Sequence, residues 1–99
     1  MILHIAIKKD WEMAKENDEY RGDTLDSEGF IHCSTPKQID GVAQHLFKGK
    51  KDLVLLEIDE KKVRPEIKYE DAGNGKLYPH IYGPLNTDAV INVRDFYVE

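Results

Sequence analysis

Cysteine occurs once in the 99 residues, at Cys33, and a single thiol excludes an intrachain disulfide. It also excludes any zinc motif built from cysteine pairs and agrees with a reducing compartment. Arginine is nearly as scarce, with Arg21, Arg64 and Arg94 the complete set. Nineteen acidic residues stand against 14 basic ones, for a formal net charge of −5. No basic stripe runs along the chain, so the electrostatic footprint of a nucleic-acid binder is missing. The lysines of KGKK (Lys48, Lys50 and Lys51) read as a solvated turn. Long hydrophobic runs are lacking too. The amino-terminal MILHIAIKKDW is apolar for only six residues after Met1 and has no cationic lead, unlike a signal peptide or a membrane span. The expectation is a cytoplasmic protein with neither nucleic acid nor membrane as partner. Linkers, repeats and low-complexity segments are absent, and residues 1–99 read as one domain with one core.

What the chain does have is a succession of short, well-marked elements. ILHIAI (Ile2 to Ile7) predicts a strand buried on both faces. KDWEMAKEND (Lys9 to Asp18) predicts a short helix with Asp10 as its cap. EYRGDTLDSEG is polar and irregular and reads as a surface loop. FIHCS (Phe30 to Ser34) predicts a second strand. A helix follows it: Thr35 caps, Pro36 suits the first helical position, and Gln38 completes a capping box. Ile39, Val42, Ala43, Leu46 and Phe47 form its apolar face, and Gly49 ends it. Further strands are predicted at LVLLEID (Leu53 to Asp59), IKYED (Ile67 to Asp71), HIYG (His80 to Gly83) and VINVRDFYV (Val90 to Val98), with a turn at Gly73 to Gly75. Two helices and a mostly antiparallel sheet make a compact α+β fold.

Strand alternation then sorts the polar residues by face. Leu3, Ile5 and Ile7 form a core face of the first strand, while His4 lies between Ile2 and Ala6 on the other. Phe30, His32 and Ser34 share a face, opposite Ile31 and Cys33; His80 and Tyr82 share a face, opposite Ile81. Three of the four histidines therefore sit in predicted strands, and His45 lies on the second helix. Any one of them reads adequately as a half-buried imidazole bonded to backbone. Three together each require a partner for a buried polar ring, and converging strands would set His4, His32, His80, Ser34 and Tyr82 around one cleft. Ser34 and Thr35 at a helix start serve as caps or as an anion site. Trp11 reads as a core aromatic or as a stacking platform for a cofactor. Cys33, facing away from His32, reads as a buried inert thiol. YPHIYGPL reads structurally as an edge strand bounded by Pro79 and Pro84.

HI and Trp11 near the start, EGFIHCST..Q in the middle, YED, and then YPHIYGPL together resemble a family of small bacterial and plant proteins, domain of unknown function 952. The resemblance covers nearly the whole chain. More distantly, that family resembles the ADP-ribosyltransferase-like fold, which includes poly(ADP-ribose) polymerases and RNA 2′-phosphotransferases. This implies NAD as cofactor. His4 would meet its ribose hydroxyls, His32 would pack on the nicotinamide with Ser34 near the amide, and His80 would stand near the bond being broken. The superfamily presents Glu, or a substitute, at that last position, and Glu66 or Glu70 on the preceding strand are candidates for the carboxylate. Three functions follow as expectations. They are an ADP-ribosyltransferase-like enzyme with catalytic His4, His32 and His80, a non-catalytic module for a nucleotide-like ligand, and a three-histidine zinc site. The third has no short-range pair such as His-x-His in its support.

Overall fold

The computed structural model describes residues 1–71 and 73–98. Ile2–Ile7 (β1) pairs antiparallel with Leu53–Ile58 (β4), Ile2 opposite Ile58 and Ile7 opposite Leu53. On its other side β4 pairs antiparallel with Val90–Phe96 (β8), giving a first sheet in the order β1-β4-β8. The reason β1 and β4 are apolar on both faces is that each face has its own core. Ile2, Ala6, Val54, Leu56 and Ile58 point into the larger core, with Trp11, Tyr20, Ile31, Ile81 and Leu85. Leu3, Ile5, Leu53 and Leu55 point into a smaller one with Ile39 and Ala43. Ile7, expected in a core, closes the strand at 44% exposure.

The first helix (α1, Lys8–Asn17) follows β1 without a break. Its N-cap is Ile7, in extended backbone and without a side-chain bond, so Asp10 is not the cap expected of it. Asp10 lies in the first turn, where its charge complements the helix dipole. Trp11 and Ala14 are the buried positions, and Asp18, at φ 60°, ends the helix in the left-handed region.

Glu66–Asp71 (β5) and Leu77–Tyr82 (β6) form a hairpin, and Ile31–His32 (β3) pairs on the far side of β6, giving a second sheet β3-β6-β5. The proline-bounded edge expected for YPHIYGPL is thus corrected: β6 is the middle strand and holds buried Pro79 inside it. The Pro79 carbonyl accepts from the Cys33 N–H, and a residue's nitrogen and carbonyl point to the same side of a strand. The Pro79 nitrogen therefore faces Cys33 as well, so this pair keeps one of its two ladder bonds and β3 ends at His32. Beyond that point Ser34 turns to β1 and exchanges two backbone bonds with Leu3, both 2.7 Å, which ties the two sheets together.

The polar loop holds more order than its composition suggests. Glu19–Tyr20 (β2) pairs with Leu85–Asn86 (β7), and Leu25–Glu28 (α2) is a single helical turn closed by Gly29 at φ 87°. Elements of two and four residues are too short to show a hydrophobic period. The next helix (α3) spans Ile39–Leu46, later than the capping signal implied. Residues 36–38 form a turn in which the Thr35 carbonyl accepts from the Gln38 N–H. Half of the capping box survives, with the Thr35 N–H donating to Gln38 Oε1 at 3.0 Å. Ile39 and Ala43 are buried, but Leu46, expected on the apolar face, is 55% exposed. Among the described residues no helix is long and apolar enough to cross a membrane.

Candidate functional site

The second sheet buries one face and leaves the other outward. Ile31, Ile81 and Ile67 are opposite one another across its three strands and turn inward to the larger core. Alternation then sends their neighbours outward. His32 is opposite His80, and His80 is opposite Lys68. The His32 and His80 rings meet edge to face, with centroids 5.2 Å apart. Phe30 lies nearly flat on His80 at 4.2 Å and also touches His32 and Tyr82, at 4.7 and 5.3 Å. Because Phe30 and its neighbours cover it, the His80 side chain is only 7% exposed, against 46% for His32.

Each of these imidazoles has a carboxylate. His80 Nδ1–H donates to Glu70 Oε1 at 2.9 Å, and the Tyr82 hydroxyl donates to the same oxygen at 2.5 Å. The Glu70 carboxylate, itself held by the Tyr82 hydroxyl, fixes the orientation of the His80 ring. His32 Nε2 lies 3.2 Å from Glu28 Oε1, four residues earlier at the end of α2. Lys68 completes the face, its ammonium 4.8 Å from the Tyr82 ring centroid. The bond from Tyr82, then that from His80, holds the Glu70 carboxyl below its ordinary range. The same Tyr82–Glu70 bond raises the phenol.

The lowered Glu70 carboxyl gives a pH prediction. A carboxylate whose folded pKa lies below its unfolded one adds stability that is present above the unfolded value of about 4.5. That contribution disappears as pH falls through the lower folded value. Glu70→Gln is accordingly expected to flatten the acid limb of stability measured by urea unfolding below pH 4.5. An unchanged acid limb would mean that the carboxylate contributes nothing.

The structure brings His32, His80 and Tyr82 together and leaves the other expected site residues apart. His4 is buried in the larger core side of β1, with both ring nitrogens taken. Its Nδ1–H donates to the His32 carbonyl at 2.5 Å, and its Nε2 accepts from the Tyr20 hydroxyl at 2.8 Å. It therefore touches the backbone of β3, not the outward face, and the single cleft around three imidazoles is not formed. Burial, the leading cause, lowers the His4 pKa from 6.5 and keeps the ring neutral. Trp11 is a core residue, edge-on to Tyr20 at 6.2 Å. Ser34 is buried at the bridge to Leu3, and the Thr35 N–H that an anion would meet is occupied by Gln38. Cys33 is buried, and burial pushes its thiol up, away from thiolate formation. His45 is exposed on α3.

Two hollows of about 490 and 560 Å³ open elsewhere, beside Trp11, Val93 and Asp95 and beside Met13, Tyr20 and Gly22. Neither is lined by His32 or His80, and the His32 and Glu70 side chains of the outward face are 46% and 39% exposed. Among the described residues no three His, Cys, Asp or Glu side chains are grouped to hold a metal ion. With both His4 nitrogens engaged, the three-histidine zinc site is not assembled. Sequence reasoning missed Glu28 and Lys68 and gave Phe30 no role. The signal was available for Glu28, which precedes His32 by four residues across a glycine turn.

The profile of the family described as a protein of unknown function, DUF952, matches residues 5–93. The chain belongs to the DUF952 family. It is similar over 99% of its length to protein CC0527 of Caulobacter crescentus, whose crystal structure it matches with 30% identity, 87% coverage of that chain and a TM-score of 0.90. The solution NMR structure of CC0527 matches at 30% identity with 85% of that chain covered and a TM-score of 0.83. The α+β architecture described above is therefore shared by another protein at this identity. None of the curated proteins compared with the chain matches it.

Proposed function

We propose that the outward face of the β3-β6-β5 sheet binds a nucleotide-type ligand, with NAD and ADP-ribose as the candidates. The observation that carries this reading is the Glu70 carboxylate, held by His80 and Tyr82 beside stacked aromatic rings. A carboxylate fixed in this way accepts hydrogen bonds from a ribose diol, while Phe30 and Tyr82 offer ring faces to a base or a nicotinamide. His32 is exposed enough to reach a ligand hydroxyl, and Lys68 is the cation at hand for a phosphate. Glu28, Glu66 and Glu70 outnumber it, which favours the nicotinamide-ribose half of NAD, whose ring is cationic, over the diphosphate.

The face is open and does not exclude water, so binding is favoured over group transfer. One observation supports the enzymatic alternative. Glu70 lies beside His80 and would supply the carboxylate that cleavage of a nicotinamide-ribose bond needs to stabilise oxocarbenium character. Calorimetric titration with NAD and with ADP-ribose tests binding, and saturation at sub-millimolar ligand by wild type but not by Tyr82→Ala is expected. Heats that are identical for the two proteins would overturn the reading. Nicotinamide release compared between wild type and Glu70→Gln separates enzyme from binder, and equal background release by both would assign binding alone.

A further inference from the structure

The turn between β5 and β6 holds the one asparagine of the chain that precedes a glycine, Asn74 before Gly75. Asn17, Asn86 and Asn92 are followed by Asp18, Thr87 and Val93, whose side chains crowd the next nitrogen. Gly75 has no side chain and sits at φ 80°, in the left-handed region. Both Asn74 and Gly75 are exposed. Three hydrogen bonds of 3.0 Å converge on this pair. The Lys76 N–H donates to Asn74 Oδ1, Asn74 Nδ2 donates to the Tyr78 hydroxyl, and the Gly75 N–H donates to Asp71 Oδ1. The same Asp71 oxygen accepts from the Gly73 N–H at 2.7 Å. The bond from Lys76 folds the carboxamide forward along the chain, closing a ring that contains both Asn74 Cγ and the Gly75 nitrogen.

We propose that this turn is a site of spontaneous modification, at which Asn74 loses its side-chain amide with help from Asp71, Lys76 and Tyr78. The Gly75 nitrogen bonds to Asn74 Cγ as its proton passes to the Asp71 carboxylate it already faces. Negative charge builds on Oδ1, where the Lys76 N–H meets it. Once Cγ is tetrahedral, Nδ2 is an amine and accepts the proton of the Tyr78 phenol beside it. The Cγ–Nδ2 bond then breaks and ammonia leaves. The Asp71 carboxyl returns its proton through solvent to the phenolate, and a cyclic imide remains. Water opens the imide at either carbonyl, to aspartate or to isoaspartate. Each product adds a negative charge to a chain already at −5. Isoaspartate also adds a backbone methylene between the strands that carry Glu70 and His80. The modification does not depend on the proposed ligand face.

The test holds the full chain at neutral pH and follows conversion at position 74 over days by peptide mapping and mass spectrometry. The folded protein is compared with the same chain unfolded in guanidinium, where glycine still leaves the nitrogen open but the three bonds are gone. Positioned proton transfer is worth about a hundredfold or more in an enclosed active site, and on this exposed turn about tenfold faster conversion in the folded chain is expected. Folded Asp71→Ala is expected to fall within about twofold of the unfolded rate. Tyr78→Phe, which keeps the ring and loses the proton donor, is expected to convert more slowly than wild type and carries the test if Asp71→Ala does not fold. Asn17, Asn86 and Asn92 are expected to stay intact in the same samples. Conversion in the folded chain equal to or slower than in the unfolded one would overturn the proposal, because the three bonds would then shield Asn74. So would folded Asp71→Ala and Tyr78→Phe that both convert at the wild-type rate.

Discussion

His80→Ala is expected to weaken NAD binding by about tenfold or more, the scale of one lost hydrogen bond to a charged group together with the lost ring support. The size follows from what the ring does. It carries the Phe30 stack, meets His32 edge-on, and shares Glu70 with Tyr82. Without it Glu70 keeps only the Tyr82 hydroxyl, and Phe30 loses the surface on which it lies. Titration calorimetry on the folded variant measures the loss, with far-ultraviolet circular dichroism verifying the fold. His45→Ala is the control, since His45 is exposed on α3, and no change in affinity is expected from it. A loss under threefold for His80→Ala would place the ligand elsewhere.

The second large effect is on stability. His4→Leu fills similar space but strands the Tyr20 hydroxyl and the His32 carbonyl, each at a cost of about 1–3 kcal/mol for a buried group left unpaired. The expected loss is about 2–5 kcal/mol in urea unfolding, a large part of the 5–15 kcal/mol that keeps a typical domain folded. Adding Tyr20→Phe removes one stranded group, so the double variant should be more stable than the sum of the single losses implies. A loss below about 1 kcal/mol for His4→Leu would show that the link is not built as described. The pH dependence has a definite sign. The lowered His4 pKa means that the unfolded chain binds the proton more readily, so stability falls as pH drops through 6.5 and levels off below the folded value.

Local pattern carried the reading of the fold far. The unbroken apolar run of Ile2 to Ile7 announces a strand with two buried faces, and two cores are there to receive it. Alternation placed His80 with Tyr82 and His32 with Phe30, and each of these pairs shares the outward face. Alternation could not say what a face looks at. His4 was correctly set beside Ile2 and Ala6, but its partners are 16 and 28 residues away, and one of them lies in a two-residue strand inside an apparent loop. The direction of Glu70 was equally hidden, because it depends on the β5–β6 register that places Lys68 opposite His80. Pro79 misled for a physical reason. Proline is disfavoured in a central strand because its nitrogen cannot donate, and here the cost is one bond of the Cys33–Pro79 pair, whose other bond is kept.

Amide NMR titration of the labelled protein with NAD addresses the central claim most directly. Saturable shifts centred on Glu28, Phe30, His32, Lys68, Glu70, His80 and Tyr82 are the predicted result, with Trp11 and Thr35 unmoved. No shift at millimolar NAD, or shifts confined to the hollow beside Trp11, would contradict it.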